Sequence, residues 1–155
     1  MKKDNRASTT QAKETAFRLL KIRGRSEKEL ESRLQLKGFS DETIAETVEY
    51  LKRTKLIDDR QFTKSWINAR LNKPFGLRRI AFELQKKGIA KELIEEGISN
   101  AKDVFDETQV VENLTKRRAA RYGAIDKEKL RRRVFEFLAR RGFSIETIQK
   151  SVQKL

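Results

Sequence analysis

Apolar residues recur three or four positions apart along most of the chain, which is the spacing of one face of an α-helix. Leu30 and Leu34 form one such pair, and the residues between them are polar, as on the solvent face of a helix. The first helix of this kind begins at Thr9 or Thr10, and we expect residues 1–8 before it to form a disordered tail. The spacing therefore predicts an almost wholly helical chain.

One stretch of eleven residues recurs three times, over 34–44, 84–94 and 138–148. Each copy has Leu at its first position, a basic residue followed by Gly and an apolar residue in its middle, and Glu and Ile near its end. The three Gly residues stand 50 and 54 positions apart, and such a period indicates a repeat architecture. We therefore predict an all-α fold of three tandem three-helix repeats that form an elongated, curved array. The predicted repeats cover residues 9–57, 58–103 and 104–155.

Each copy of this stretch predicts a corner between two helices. The basic residue before Gly complements the negative C-terminal end of the helix dipole. Gly38, Gly88 and Gly142 would adopt the left-handed conformation that ends a helix at little cost. Ser40 and Ser144 would cap the helix that follows, whereas Ala90 at the same place is a poor cap. The helix after the second corner therefore has the weakest start.

Two joins along the chain have a structural interpretation. Asp58 and Asp59 could be a carboxylate pair for chemistry, but we expect one to cap the following helix and the other to complement its dipole. The segment Pro74–Gly76 contains the one Pro of the sequence and predicts a rigid turn. Phe82 lies on the polar side of the next predicted helix, so it either packs against a neighbouring repeat or belongs to a binding surface.

The composition excludes several classes of function. None of the 155 residues is Cys or His, so disulfides, thiol nucleophiles, zinc fingers and His-dependent catalytic triads are excluded. Phosphate-binding loops of the Gly-x-x-x-x-Gly-Lys and Gly-x-Gly-x-x-Gly kinds are absent. Carboxylates alone could still hold a metal ion, but we predict a protein that is not an enzyme and needs no cofactor or metal ion. Without a long apolar run we expect no membrane contact, and the absence of Cys fits the reducing cytoplasm.

The net charge of +14 favours an anionic partner, with nucleic acid or a nucleoprotein first. The alternative is a solubilising surface that binds nothing specific. Aligned on the Gly corners, the second and third repeats share basic positions: Arg78 with Arg132, Arg79 with Arg133, Lys86 with Arg140 and Lys87 with Arg141. Basic side chains on the second helix of consecutive repeats would form a stripe along the array.

Four features occur together in this order. They are three tandem three-helix repeats, the corners of basic residue, Gly and apolar residue, the join 56–59 before Phe62 and Trp66, and the segment from Arg70 to Gly88 with its Pro-Phe-Gly turn. Together they resemble the RecX family of recombinase regulators, over residues 9–155. The resemblance implies a protein that binds the RecA–DNA filament along its groove. It also implies inhibition of ATP hydrolysis, strand exchange and co-protease activity.

The resemblance implies the RecA recombinase filament as partner, together with weak, salt-dependent binding of single- and double-stranded DNA by a monomer. The candidate contacts are basic residues of the second and third repeats: Arg70, Lys73, Arg78, Arg79, Lys86, Lys87, Arg117, Arg118, Arg132, Arg133 and Arg140. Whether they contact mainly recombinase or DNA stays open. The alternative is a general basic DNA-binding protein that competes with recombinase for DNA. Few aromatic residues stand among the exposed basic residues, so base stacking on single strands is not indicated.

Overall fold

The computed structural model describes residues 2–155, with side chains from Ser8 onward, and these residues form nine α-helices and no strand. The helices are α1 Lys2–Ile22, α2 Glu27–Leu36, α3 Asp41–Arg53, α4 Asp59–Leu71, α5 Leu77–Lys86, α6 Lys91–Lys102, α7 Glu107–Ala119, α8 Lys127–Arg140 and α9 Ile145–Val152. The predicted all-α fold, with three helices in each repeat, is confirmed.

The first helix begins earlier than the sequence pattern indicated. Because α1 starts at Lys2, the predicted start at Thr9 or Thr10 is wrong, and residues 2–8 continue the helix instead of forming a separate tail. The reason is local, since no Gly or Pro precedes Gly24 to interrupt the backbone. Met1 lies outside the described residues.

The three Gly corners have the predicted geometry. Gly38, Gly88 and Gly142 have φ angles of 87°, 74° and 80°, which are in the left-handed region. Ser40 and Ser144 cap α3 and α9, because each hydroxyl oxygen accepts a hydrogen bond from the backbone N–H three residues further on. The local sequence therefore determines where these helices end and begin.

The chain divides into two compact units, and unit 1 comprises Met1–Ser65 together with Leu84–Leu93. Within it, α1 packs on α3, and α2 contacts both. Leu30, Leu34 and Leu51 are fully buried in this core. The apolar stripe that predicted the helices of the first repeat is thus the face that they bury.

The two aspartates at the join have different structural roles within unit 1. Asp58 caps α4 as predicted, because its Oδ1 accepts from the backbone N–H groups of Arg60 and Gln61 at 2.9 and 3.1 Å. Asp59 is the first residue of α4, but its Oδ1 accepts from the backbone N–H of Glu27 at 2.8 Å, at the start of α2. Burial raises the pKa of the Asp59 carboxyl. Both carboxylates therefore act as hydrogen-bond acceptors for helix starts.

Unit 2 comprises Trp66–Glu83 together with Ile94–Leu155. Within it, α7, α8 and α9 pack on one another, and Val134, Leu138 and Phe143 are fully buried among them. The boundary between the two units falls inside the second repeat, whereas the predicted domain boundaries follow the repeat period. The predicted boundaries of the three repeats stay a prediction.

Candidate functional site

The turn between α4 and α5 lies directly against the third Gly corner, inside unit 2. The backbone N–H of Gly76 donates to the carbonyl of Arg141 at 2.8 Å, and Nη1 of Arg141 donates to the carbonyl of Pro74 at 3.0 Å. A Cβ at Gly76 would overlap the carbonyl of Gly142 and the backbone nitrogen of Phe143. Only Gly permits this approach of two backbones.

Arginine and aromatic side chains alternate on both sides of this backbone contact. Their guanidinium carbons lie 4.3 to 5.9 Å from the centroids of the neighbouring rings. Cation–π attraction acts at distances up to about 6 Å. We call this set the arginine–aromatic ladder, and its members are Trp66, Arg70, Phe75, Arg79, Arg141, Phe137, Arg118, Tyr122 and Arg133.

A carboxylate partly neutralises the first part of the ladder. Glu83 accepts from Nε of Arg70 at 2.8 Å and from Nε of Arg79 at 3.3 Å. Its Oε2 also accepts from Nε1 of Trp66 at 3.1 Å. Arg70 is half-buried between this carboxylate and two rings, so its charge is engaged inside the protein.

The second part of the ladder has cations but no acidic partner among the described residues. Arg118 and Arg141 lie over the ring of Phe137, at 4.6 and 4.5 Å from its centroid. Within the described part of the chain Arg118 makes no hydrogen bond or ion pair, and its Nε is buried. Burial lowers the pKa of Arg141, and the charges of Arg79 and Arg118 lower it further. Positive charge is therefore concentrated at this end of the ladder.

A concavity of about 220 Å³ opens beside Phe137. Its lining combines guanidinium groups with apolar side chains and consists of Pro74, Leu114, Arg117, Arg118, Arg121, Phe137 and Arg141. We call it the arginine concavity. Four of these lining residues are arginines and none is acidic, so the concavity is suited to an anion.

Unit 1 contains a second basic groove, of about 240 Å³, but this groove holds its own carboxylate. Arg23 and Lys87 bind Glu29 at 3.0 and 2.8 Å. Burial opposes ionisation of the Glu29 carboxyl. Hydrogen bonds from Arg23, Lys87 and the backbone N–H of Ser26 outweigh that effect and lower its pKa to about 2. The groove is therefore partly neutralised by the protein itself.

The predicted contact residues differ in how far they are available to a partner. Most are exposed, and these are Lys73, Arg78, Arg79, Lys86, Arg117, Arg132, Arg133 and Arg140. Arg70 and Arg118 are half-buried in the ladder, and the side chain of Lys87 is 16% exposed beside Glu29. The structure brings Arg70, Arg79, Arg118 and Arg133 into the ladder. The role of all eleven residues in binding stays a prediction.

Several members of this site were not among the predicted contacts. Arg141 and Arg121 line the arginine concavity, and the rings of Phe137 and Tyr122 lie among its cations. Few aromatic residues were expected among the exposed basic ones, and the rings that lie among the arginines of unit 2 are half-buried. The alignment of Arg141 with Lys87 was a usable indication in the sequence, whereas the ring positions depend on packing.

Phe82 is 54% exposed. The described residues also contain no helix whose length and apolar character would let it cross a membrane. No group of three or more acidic side chains with metal-binding geometry occurs within that same part of the chain.

Three family models match the chain in tandem. They describe the first, second and third three-helix domains of RecX, and they match residues 12–51, 58–98 and 106–152. Together these matches cover most of the sequence.

The chain belongs to the RecX family.

Relatives named regulatory protein RecX match nearly the whole chain. The protein of Caldanaerobacter subterraneus is 32% identical over 96% of this chain and 72% of its own length. The protein of Mycolicibacterium smegmatis is 36% identical over 91% of this chain and 77% of its own length. The protein of Prosthecochloris aestuarii is 31% identical over 96% of both chains. The chain is therefore a member of a family of regulatory proteins.

Solved RecX structures have the same fold. The crystal structure of RecX from Lactobacillus salivarius superposes with a TM-score of 0.83, at 23% identity, over 96% of this chain and 97% of that one. A second crystal structure of regulatory protein RecX has a TM-score of 0.84 at 18% identity, over 98% of this chain and 74% of that one. At these identities the likeness concerns the fold.

Proposed function

We propose that this RecX family member binds the RecA–DNA filament and inhibits its ATP hydrolysis, strand exchange and co-protease activity. Membership of a family of regulatory proteins supports a regulatory role. The observation that carries the proposal is the basic surface of unit 2, where the arginine concavity has no acidic lining residue. A filament on DNA presents phosphate groups that such a surface attracts.

The chemistry of this surface suits binding better than catalysis. The arginine–aromatic ladder holds its guanidinium groups in place by ring contacts and by the carbonyl of Pro74. Cations held in this way lose little side-chain freedom on binding, so more of the interaction energy remains for affinity. We therefore propose a non-enzymatic protein that acts in the cytoplasm as a monomer and uses no cofactor.

A second candidate is a general DNA-binding protein that inhibits recombinase only by competing for DNA. The concavity favours this candidate too, because guanidinium groups recognise a phosphate whether or not recombinase is present. The two candidates differ in what the protein must contact. A filament-binding regulator requires recombinase in the complex, whereas a general binder requires DNA alone.

Charge reversal on unit 2 tests the proposal. We expect the combined variant Arg132→Glu, Arg133→Glu and Arg140→Glu to abolish inhibition of RecA ATP hydrolysis on single-stranded DNA, because exposed cations of the third repeat become repulsive towards phosphate. Circular dichroism would check that the variant remains folded.

A matched control changes the net charge by the same amount at exposed residues of unit 1, as Arg53→Glu, Lys55→Glu and Lys64→Glu. We expect this variant to retain most of the inhibition. Wild-type inhibition by the unit 2 variant at equal concentration would contradict the assignment of the surface.

A further inference from the structure

The arginine concavity in unit 2 concentrates like charges at short range. Arg118 and Arg141 lie over the same ring, and Arg117 and Arg121 line the same concavity. None of its lining residues is acidic, so the described protein supplies no counter-charge there. Like charges in a partly buried site repel, and a bound anion relieves that repulsion. The arrangement is therefore electrostatically incomplete without an anion.

The hydrogen-bonding capacity of these arginines is also largely unused. A guanidinium carries five N–H donors in a planar fork. Among the described residues Arg118 donates to no protein acceptor, and Arg141 donates through Nη1 to the carbonyl of Pro74. Arg117 has no ion pair or side-chain hydrogen bond within the described chain. Donors that protein acceptors leave unused are available to an oxyanion.

The size and the apolar lining of the concavity select the kind of anion. Pockets for drug-sized ligands usually begin at about 300 Å³, and the arginine concavity, at about 220 Å³, is smaller than that. Arg118 and Arg141 already lie over the ring of Phe137, so a nucleobase would have to compete with them to stack there. The ring instead orients the two guanidinium groups. The ligand chemistry is therefore that of a phosphate and not that of a base.

The basic groove of unit 1 provides the internal comparison. It is of similar volume, but Glu29 lies in it and binds Arg23 and Lys87 at 3.0 and 2.8 Å. That carboxylate is held ionised, with a pKa of about 2, and would repel an incoming phosphate. The unit 2 concavity has no such group in its lining. Compared with this groove, the concavity in unit 2 is the better phosphate site.

We propose that the arginine concavity is a dedicated phosphate-binding site in which Arg118 and Arg141 form the direct hydrogen bonds and Arg117 and Arg121 supply charge at its rim. The backbone phosphodiester of a nucleic acid is the expected source of the phosphate, and this expectation rests on the function proposed above. A free phosphate is the other source with the same chemistry.

A charge-preserving substitution distinguishes a site that depends on guanidinium geometry from a surface that binds through positive charge alone. Lysine keeps the positive charge of Arg118 but cannot reproduce the planar fork. We expect Arg118→Lys to weaken binding of a fluorescently labelled thymidine oligonucleotide about tenfold, as the loss of a hydrogen bond to a charged group implies. The control Arg53→Lys, at an exposed residue of unit 1 outside the candidate contacts, should stay within about twofold of wild type.

The measurement is fluorescence anisotropy without recombinase, at two salt concentrations, with the melting temperature of each variant as a check on folding. Arg118 is the informative position because it makes no protein hydrogen bond in the described chain that the substitution would break. Arg141→Lys is the second variant, and it should weaken oligonucleotide binding to a similar extent.

A second arm identifies the source of the phosphate. Inorganic phosphate is added at constant ionic strength and the melting temperature is followed for wild type and for Arg118→Lys. If the oligonucleotide arm separates Arg118→Lys from Arg53→Lys, the site holds a phosphodiester. If only the inorganic phosphate arm separates wild type from Arg118→Lys, the site holds a free phosphate.

If neither arm separates these proteins, the phosphate site does not exist. Because recombinase is absent from both arms, the result is independent of the proposed regulation. If binding depends on Arg118 as proposed but the protein leaves RecA activity unchanged, the phosphate site is supported and the regulatory function is disproved. If the protein inhibits RecA but Arg118→Lys binds the oligonucleotide like wild type, the regulatory function is supported and a phosphodiester at this site is disproved.

Discussion

Glu29 shows how one side chain can serve both a helix start and a longer-range contact. It completes the capping box with Ser26 at the start of α2, and it binds Arg23 and Lys87 within unit 1. The sequence is compatible with this capping box, because Glu stands three residues after Ser. It did not predict the contact with Lys87, which is 58 positions away and was expected to face a partner.

The ion pairs of Glu29 predict a pH-dependent contribution to stability. Its folded-state pKa of about 2 is below the ordinary 4.5, so folding favours the ionised carboxylate. The contribution is fully present above pH 4.5 and is lost as pH falls towards 2. We expect Glu29→Gln to lower the free energy of unfolding at pH 7 by roughly 1–2 kcal/mol after allowance for solvent screening.

Urea denaturation of both proteins at pH 7 and pH 3.5 would test this expectation, and the deficit should be smaller at the lower pH. Glu146→Gln is the control, because Glu146 pairs with Lys150 on an exposed helix face and should give no measurable change. A Glu29→Gln protein as stable as wild type at pH 7 would contradict the role given to this carboxylate. So would a deficit independent of pH.

At the scale of the elements, the turn between α4 and α5 depends on a close approach of two backbones. Gly76 donates to the carbonyl of Arg141, and a Cβ at this position would overlap backbone atoms, which cannot rotate away. We expect Gly76→Ala to lower the free energy of unfolding by about 1–3 kcal/mol, the usual cost of overpacking. Oligonucleotide affinity should fall with it, because the turn carries Phe75 and Pro74 of the site.

Gly123→Ala is the matched control for this substitution. A Cβ at Gly123 meets no atom within 4 Å, and its φ is not in the left-handed region. Its effect should stay within about 0.5 kcal/mol, as for other surface changes. Chemical denaturation would give the free energy of unfolding of the two variants. Equal values would show that the turn tolerates a side chain at Gly76.

Local features were predictable from the sequence, and features that depend on tertiary contact were not. The corners at Gly38, Gly88 and Gly142 and the caps at Ser40 and Ser144 follow from the few residues around them. The start of α1 was missed because polar residues without a helix breaker are compatible with both helix and tail. The ladder was missed because Phe75 and Arg141 meet only in the folded chain.

At the scale of the whole molecule, the positive charge is large but unevenly available. The net charge is +14, and the sequence alone does not show which Lys and Arg residues have a carboxylate partner in the fold. In the fold, Glu83 engages Arg70 and Arg79, and Glu29 engages Lys87. The arginine concavity of unit 2 is lined by four arginines and by no acidic residue. We therefore expect fewer binding residues than the candidate set, with unit 2 carrying most of the affinity.

The most direct test of the proposed regulation is RecA ATP hydrolysis on single-stranded DNA with this protein titrated in, at two DNA concentrations. Action on the filament predicts inhibition at protein concentrations well below the number of DNA binding sites, unchanged by additional DNA. Inhibition that appears only near saturation of the DNA, and that additional DNA relieves, would contradict it. That result would identify a general DNA-binding protein that competes with recombinase for its substrate.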